Sequence, residues 1–258
     1  MIPWIESQET AVIALVVFAA MYLLAAIIFA VAVVASQRRM ALEWKATSPA
    51  MLTPMGVIAG LLIAFLASRV WANLDHANSY VANEATAIHE LILLADELPD
   101  GPRAALRGTL QNYLRYAQDE DWPAMAAGRA SLRHVPSDLK DAMRDVLSVA
   151  PTEPGQQVAQ ARAVVAIEQV MEARRNRVLL SETAIAPIQW VAVIILAVLI
   201  LLTIAMLHID RRATTALNLF IFATAVAACL VLLMVNDRPF SAGGATVRPD
   251  ALREIGFD

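Results

Sequence analysis

One apolar stretch of the sequence carries small side chains at every fourth position, and the same spacing continues into polar residues. The positions are Gly56, Gly60, Ala64, Ser68, Ala72, His76 and Tyr80. Small residues at this spacing let helices approach closely in lipid, where packing drives association. The row therefore predicts either close packing against another span of the same chain, or an axis that is surrounded by copies of this helix.

In the second interpretation the small side chains leave a narrow, uncharged lumen, with Asn73, His76 and Tyr80 around its mouth. A hydrophobic constriction of this kind can gate ion flow by dewetting. The chemistry that this row predicts is therefore passage of ions rather than bond making or breaking.

A second candidate set consists of three arginines just before the third apolar run. Arg174, Arg175 and Arg177 could attract anions or phospholipid headgroups. The competing interpretation is that these side chains snorkel towards the membrane surface and form ion pairs with Glu168 or Glu172, which lie at helical spacing from them. The spacing alone leaves both interpretations open.

Catalytic, metal-binding and proton-relay patterns are absent from the sequence. The apolar runs contain no Asp, Glu, Lys, Arg or His, although pumps place such groups at membrane depth. The chain has no Gly-rich phosphate loop, nucleophile elbow or zinc motif, and its histidines (His76, His89, His134 and His208) are scattered. The single cysteine, Cys229, excludes an intramolecular disulfide. We therefore expect no enzyme, no cofactor, no metal site and, since basic runs are also absent, no nucleic-acid partner.

The elements that must position these residues follow from the distribution of apolar residues. The chain is 59% hydrophobic and 17% charged, with uncharged runs at 11–35, 51–68, 184–207 and 213–236. A helix that spans a membrane needs about 20 apolar residues. The first run follows Glu6 and Glu9 and is longer than the core of a signal peptide, so we interpret it as a retained span. The sequence predicts an all-α, four-span membrane protein.

Residues 73–183 predict a helical extramembrane domain on two stalk helices. One helix of about 43 residues can run from Met55 to Leu98, because this range has no proline and no glycine beyond Gly56 and Gly60. A second stalk can run from Gln156 to Ala186, which has neither residue. Asp121 and Ser137 are suited to cap helices, and Pro187 should kink the third span. The expected division of the chain is 1–72, 73–183, 184–236 and a polar tail at 237–258.

The positive-inside rule predicts the orientation of the spans. The short loops 36–50 and 208–212 hold five basic residues, while the first ten residues hold none. This distribution places both termini and the helical domain on the non-cytoplasmic side of a bacterial inner membrane. Six arginines near the opposite membrane face oppose the prediction, so it depends on the weight given to the first span.

Short motifs also run through the chain in a recognisable order. The first group comprises Gly60-Leu61-Leu62-Ile63-Ala64-Phe65, Trp71, Asp75, Ala77, Val81, Glu84-Ala85, Pro99, Tyr113, Asp121-Trp122-Pro123 and Met125. The second comprises Arg174 to Arg177, Pro187, Trp190, Asp237-Arg238-Pro239-Phe240-Ser241, Gly243 and Val247. In this order they resemble uncharacterised bacterial membrane proteins with a bestrophin-like domain. The resemblance covers nearly the whole chain from Met55 onward.

The resemblance implies an architecture and a function. Bestrophins are oligomeric anion channels with four spans per subunit, a helical domain between the second and third spans, and a pore lined by the second helix. They keep that domain in the cytoplasm, which conflicts with the orientation that the charges predict. Their acidic calcium-binding cluster has no counterpart here, because no acid follows Pro239-Phe240 closely.

Two motifs of the resemblance receive roles as hypotheses. Glu84 could form an ion pair with Arg162, Arg174 or Arg177 of the returning stalk, or could act as a carboxylate at a pore mouth that favours cations. Trp122-Pro123 is expected to fix a helix start and to fill the core of the domain.

The sequence therefore predicts a homo-oligomeric, bestrophin-like protein of the inner membrane that conducts ions, with anions implied by the resemblance, through a pore lined by the second span. Its expected partners are membrane lipids, further copies of itself and inorganic ions. The alternative is a non-conducting membrane scaffold or sensor whose helical domain binds a partner.

Overall fold

The structure is a computed structural model that describes residues 10–36, 49–133, 135–208, 211–241 and 247–256. These residues form helices and no strand, so the all-α prediction is confirmed. The helices are α1 (Thr10–Ser36), α2 (Leu52–Ala95), α3 (Asp100–Tyr116), α4 (Trp122–Ala126), α5 (Ser137–Leu147), α6 (Pro154–Ser181), α7 (Pro187–Leu207), α8 (Arg212–Asn236) and α9 (Asp250–Arg253). A short 3₁₀ turn, Pro49–Met51, precedes α2, and a π-helix, Ala117–Asp121, lies between α3 and α4.

The chain divides into two compact units. The membrane unit comprises Met1–Ala72 and Ala184–Asp237, and the helical unit comprises Asn73–Thr183 and Arg238–Asp258. Helix α2 contributes residues to both units. The tail from Arg238 onward groups with the helical unit and does not stand apart.

The membrane unit contains the spans. Among the described residues α1, α2, α7 and α8 are long and apolar enough to cross a membrane, as the sequence predicts. Helix α1 buries one stripe at helical spacing, with Ile13 and Val17 in it, chiefly against α8. Tyr22 of α1 stacks on Phe220 of α8 with 5.1 Å between ring centroids, and its hydroxyl lies 3.1 Å from Thr224 Oγ1. The two helices thus combine apolar packing with one satisfied polar contact.

The helix is interrupted before the third span, which the sequence analysis did not predict. Helix α6 ends at Ser181 and α7 begins at Pro187, so the second stalk is not continuous with its span. The kink predicted at Pro187 is wrong for the same reason, because proline at the first helical position lacks only a donor that has no partner there anyway. Gln189 Oε1 accepts the Ala186 N–H at 3.1 Å, and Asp237 Oδ1 accepts the Ile185 N–H at 2.8 Å. These two side chains satisfy the backbone where the chain turns.

Helix α2 matches the predicted long helix, with 44 residues from Leu52 to Ala95. Most of its buried residues recur at intervals of three, four or seven positions and form one buried stripe, with Ala87 and Ile92 buried at the edges of the stripe. This stripe consists of Leu66, Val70, Ala77, Val81, Glu84, Ile88, Leu91 and Ala95. At about 100° per residue such spacing keeps all of them on one side of the helix. The remaining circumference of α2 is left largely without contacts from its own subunit.

The helical unit has an apolar core formed by α2, α3, α5 and α6. Leu106, Leu110, Leu139 and Ile167 are each at most 1% exposed in it. They come from the helical periodicity that the sequence shows, with apolar residues three and four positions apart. A core of this kind fixes how the four helices pack within the unit.

Two predicted helix caps are wrong. Ser137 is the first residue of α5 and Pro136 precedes it, and neither supplies a side-chain cap. Asp121 lies inside continuous helical backbone, because the π-helix connects α3 to α4 without a break. The Asp121 carboxylate instead forms an ion pair with Arg174. This helical run ends at the C-terminus of α4, Ala126. Gly128 follows with φ +63°, a conformation that favours glycine.

Replacing Leu110 by alanine should lower the stability of the protein. The side chain is fully buried, so the change opens a cavity and should cost about 2–5 kcal/mol. Thermal unfolding of the detergent-solubilised protein, followed by circular dichroism, measures the effect. Leu147→Ala is the matched control because Leu147 is 61% exposed. Equal shifts in the two variants would contradict the assignment of Leu110 to the core.

Candidate functional site

The small-residue row on α2 does not pack against another span of the described subunit. Gly56, Gly60, Ala64 and Ser68 are all exposed. A Cβ atom built on either glycine meets nothing within 4 Å. Close packing inside one subunit, the first interpretation of the row, therefore does not account for these residues in the structure.

The row also winds around the helix. At about 100° per residue, positions four apart differ by about 40°, so the row turns by about 240° between Gly56 and Tyr80. Relative to the buried stripe, Gly56 and Gly60 lie on one flank and His76 and Tyr80 on the other. The small-residue row is therefore not a single face, and its ends point in different directions.

A different set of residues faces directly away from the buried stripe. We call it the outer face of α2, and it consists of Val57, Leu61, Ala64, Ser68, Ala72, Asp75, Ser79, Ala82 and Thr86. These residues recur at three- and four-residue intervals, and each of them is exposed. The outer face is apolar at Val57 and Leu61, small from Ala64 to Ala72, and polar from Asp75 onward.

The three residues predicted around the mouth lie on the flank of α2. Asn73 is half-buried, and the rings of His76 and Tyr80 stack with their centroids 6.1 Å apart. Tyr80 also lines a groove of about 360 Å³ between α2 and α6, together with polar residues that include Gln169 and Asn176. This groove belongs to the helical unit and is polar.

The strongest polar contacts of the helical unit form around Glu84, which is fully buried. Arg177 of α6 donates to both of its carboxylate oxygens, with Nε at 2.8 Å from Oε2 and Nη2 at 3.0 Å from Oε1. Tyr113 of α3 donates its hydroxyl to Oε1 at 2.5 Å. The predicted ion pair of Glu84 is confirmed, and Arg177 is its partner among the three candidates.

Asp121 forms a second buried ion pair beside the first. Arg174 Nε lies 2.7 Å from Asp121 Oδ2, and Arg174 Nη2 lies 2.9 Å from Oδ1. Arg177 Nη2 is 3.5 Å from the same Oδ2, so the two pairs are linked. The π-helix supplies the extra residue per turn that sets Asp121 within one continuous helical run facing α6.

We call Glu84, Asp121, Arg174 and Arg177, together with Tyr113, the charge cluster. Burial and then the negative charge of Glu84 raise the pKa of Tyr113 well above its usual value, so the phenol remains a donor. Burial, the largest effect, lowers the pKa of Arg177, but the electrostatic effects of Glu84, Tyr113 and Asp121 and the hydrogen bond to Glu84 together raise it, so the net direction is upward. Tyr113 and Arg177 therefore keep their protons at ordinary pH.

The charge cluster is balanced in charge and hydrogen-bonded internally. Two arginines balance two carboxylates, and each carboxylate oxygen already accepts at least one hydrogen bond. Among the residues that the structure describes, no group of three or more His, Cys, Asp or Glu side chains is arranged to hold a metal ion. What the cluster does is join α2, the α3–π segment and α6 at fixed geometry within the helical unit.

This arrangement corrects the hypothesis for the three arginines. Arg174 and Arg177 are 5% and 0% exposed and cannot reach a lipid headgroup or a free anion. Their partners are Glu84 and Asp121, not Glu168 or Glu172. Arg175 alone is exposed.

The buried position of Glu84 also excludes it as a carboxylate at a pore mouth, since its side chain is 0% exposed. Trp122 lies over the neighbouring guanidinium, with Arg177 Cζ 4.6 Å from the ring centroid. The expected role of Trp122-Pro123 agrees with this position, because α4 starts at Trp122 and Pro123 stands in its first turn.

The closing motif of the chain packs on the same tryptophan. Phe240 is buried and meets the Trp122 ring edge to face at 5.8 Å, and Trp122 Nε1 donates to the Val247 carbonyl at 3.3 Å. The Val247 N–H in turn donates to the Pro239 carbonyl at 2.8 Å. Gly243 and His134 lie outside the described residues.

Two tryptophans of the motif set, Trp71 and Trp190, are in the membrane unit. Trp71 is 49% exposed on α2, whereas Trp190 of α7 is 4% exposed in the apolar core of that unit. Both tryptophans therefore belong to the spans and not to the charge cluster.

Comparison with known proteins identifies the family. A family model described as the Bestrophin-like domain matches residues 17–252. The chain belongs to the Bestrophin-like domain family. The predicted recognition is therefore confirmed, and the charge cluster and the outer face of α2 are features of a bestrophin-like chain.

Solved structures share the fold of this bestrophin-like chain at low sequence identity. A variant of a bacterial bestrophin homologue from Klebsiella pneumoniae has a TM-score of 0.71 at 12% identity, over 91% of this chain and 94% of that chain. A second structure of that homologue has a TM-score of 0.70 at 12% identity, over 90% and 93%. No curated protein sequence matches. Identities this low establish the bestrophin fold and nothing finer.

Sequence reasoning missed Tyr113 as a member of the cluster. Leu106, Leu110, Tyr113 and Leu114 are buried at helical spacing, so in the sequence the tyrosine looks like one more apolar position of α3. The available signal was chemical, because a buried tyrosine hydroxyl needs a partner and an acid stands in the same motif set.

Replacing Arg177 by methionine should destabilise the bestrophin-like chain strongly. The change leaves the Glu84 carboxylate buried without its cation, which should cost about 3–5 kcal/mol. Arg175→Met is the matched control on the same helix, and as an exposed change it should stay within about 0.5 kcal/mol. Thermal unfolding in detergent, followed by intrinsic tryptophan fluorescence, compares the two.

The double variant Glu84→Leu/Arg177→Met sharpens the comparison. Because it removes both charges, it should be more stable than Arg177→Met alone. Equal stability of Arg177→Met and Arg175→Met would show that the ion pair does not hold the unit together.

Proposed function

We propose that the protein is a homo-oligomeric channel for passive ion flow, with α2 of each copy lining the pore. The observation that carries the proposal is how little α2 packs on its own subunit. In the most apolar window of each span, 11% of the residues are buried in α2, compared with 28–39% in α1, α7 and α8. A span with so much free surface is suited to face other copies and a lumen.

The composition of the outer face supports the same role. Lipid tolerates large apolar side chains, so contact with lipid gives no reason for alanine or serine at Ala64, Ser68 and Ala72. A narrow passage does give one, because small side chains leave room and uncharged walls permit gating by dewetting. The absence of Asp, Glu, Lys, Arg and His from the four apolar runs favours passive flow over coupled transport.

The charge cluster supports this function indirectly. It ties the part of α2 that carries Glu84 to α6 by two hydrogen bonds to one guanidinium. A helix that lines a pore must keep its position, because small shifts change the width of the passage. The paired hydrogen bonds from arginine provide such a fixed geometry. In this proposal the cluster positions α2 and takes no part in conduction.

Anion conduction is what the resemblance implies, but the described residues do not supply a cation for it on α2. Arg69 is the one lysine or arginine of this helix, and it lies on a flank, where its Nη1 is 3.4 Å from Gln189 Oε1 of α7. Arg174 and Arg177 are neutralised in the cluster. We therefore propose ion flow without drawing anion selectivity from these residues.

Purified protein in planar bilayers should conduct, and Ala64→Trp should block the current because it places a large ring on the outer face of α2. Ala30→Trp is the matched control, since Ala30 is an exposed alanine on a different span. The control should conduct like the unmodified protein. The conductance of single channels measures both.

Silence of the unmodified protein across several salts, or a strictly monomeric particle in detergent, would refute the channel. The non-conducting scaffold or sensor would then be the better hypothesis. Equal currents in Ala64→Trp and Ala30→Trp would leave a channel whose pore is not lined by α2.

We further propose an inner-membrane location with the helical unit on the non-cytoplasmic side, on the strength of the basic short loops. Of these, residues 37–48 and 209–210 lie outside the described residues. The resemblance implies the opposite, cytoplasmic side.

An Asp119→Cys variant in a Cys229→Ala background should react with a membrane-impermeant maleimide in intact cells. Asp119 is exposed on the helical unit, so the reagent can reach it. The extent of labelling before and after lysis measures the side. Labelling only after lysis would contradict the proposed orientation and favour the arrangement of the bestrophins.

A further inference from the structure

The outer face of α2 carries a single charged residue. Along the part of α2 that belongs to the helical unit, the outer face consists of Asp75, Ser79, Ala82 and Thr86, opposite the buried Ala77, Val81, Glu84 and Ile88. Ser79 donates its hydroxyl to the Asp75 carbonyl and Thr86 donates to the Ala82 carbonyl, so both hydroxyls turn back to the backbone. Asp75 is then the one strongly polar side chain on this side.

The acids of α2 differ in whether a cation neutralises them. Glu84 is paired with Arg177 inside the charge cluster, and Glu90 lies 3.9 Å from Arg162. Among the residues that the structure describes, Asp75 has neither an ion pair nor a hydrogen bond to its carboxylate. It is therefore the uncompensated negative charge of this helix.

The basic side chains of α2 lie away from Asp75: exposed His89 is on a similar side of the helix, but 14 residues, about 21 Å, further along it. His76 is the next residue, about 100° away around the helix, and its ring stacks on Tyr80. Arg69 is on the flank and contacts Gln189. The outer face next to Asp75 is thus negative, with no basic group to cancel it.

We propose that Asp75, one from each copy, forms a ring of carboxylates around the axis and makes the pore selective for cations. The inference rests on the proposed function, because only an axial arrangement of α2 brings the copies together. Carboxylate rings select cations in other channels since they concentrate cations and repel anions within a narrow, poorly screened passage. The role first considered for Glu84 thus falls to Asp75, which the structure leaves exposed and unpaired.

The test is the reversal potential in planar bilayers under a potassium chloride gradient. The current through the unmodified protein should reverse near the equilibrium potential of potassium. Asp75→Asn should lower the ratio of potassium to chloride permeability several-fold, and Asp75→Arg should shift the reversal potential towards that of chloride. Asp119→Asn is the matched control, because Asp119 is an exposed acid of the same unit away from α2, and it should leave the ratio unchanged.

A chemical rescue separates charge from folding. In Asp75→Cys with Cys229→Ala, a negatively charged thiol reagent should restore the preference for potassium, whereas a positively charged reagent of similar size should increase the preference for chloride. Both measurements are made on one folded protein, so a folding defect cannot imitate the difference.

Two failures are distinguishable. Conduction that keeps the same permeability ratio in Asp75→Asn, Asp75→Arg and both labelled forms would overturn the role of Asp75 while the channel stands. Absence of conduction in the unmodified protein would overturn the proposed function and this inference with it.

Discussion

The fully buried ion pair between Glu84 and Arg177 is the constraint on which the helical unit depends. Taking a carboxylate and a guanidinium out of water costs several kcal/mol per ion, and only a well-formed pair offsets it. Here the pair has two short hydrogen bonds, a tyrosine hydroxyl and a tryptophan ring against the cation. Because each partner is costly without the other, α2 and α6 are held in one register, which apolar packing alone specifies less sharply.

That constraint also divides the surface of α2. Once Glu84 points into the unit, helical geometry puts Ala77, Val81 and Ile88 on the same side and leaves Asp75 and Ser79 on the opposite one. The buried charge is fully compensated, and the exposed one is not. One helix can therefore use one acid for structure and another for ions, and the two roles are assigned by the side of the helix on which each acid stands.

Much of the fold follows from the sequence, because charge-free runs and the lack of proline in Met55 to Leu98 are local properties. The errors arose where local patterns are ambiguous. Pro187 is compatible with a kink or with a helix start. Asp121 before Trp122-Pro123 looks like a helix cap in the sequence, but the π-helix continues the helical backbone through this residue. Three arginines were at suitable spacing for Glu84, and only tertiary packing selects Arg177. The small-residue row looks like one face of α2 because neighbouring members differ by only about 40° around the helix, although the difference adds up along the row.

The separation of apolar and charged segments on α2 bears on how such a channel works. Val57, Leu61 and the small residues after them offer an incoming ion no ligand, so this segment is suited to control whether the passage is wet. Asp75 offers charge but leaves the apolar segment unchanged, so it is suited to control which ions accumulate next to it. Because the two segments use different residues, selectivity and gating can change independently. A family that keeps one helix while changing a single acid could thus alter the conducted ion without altering the fold, since the buried stripe and the charge cluster do not involve that position.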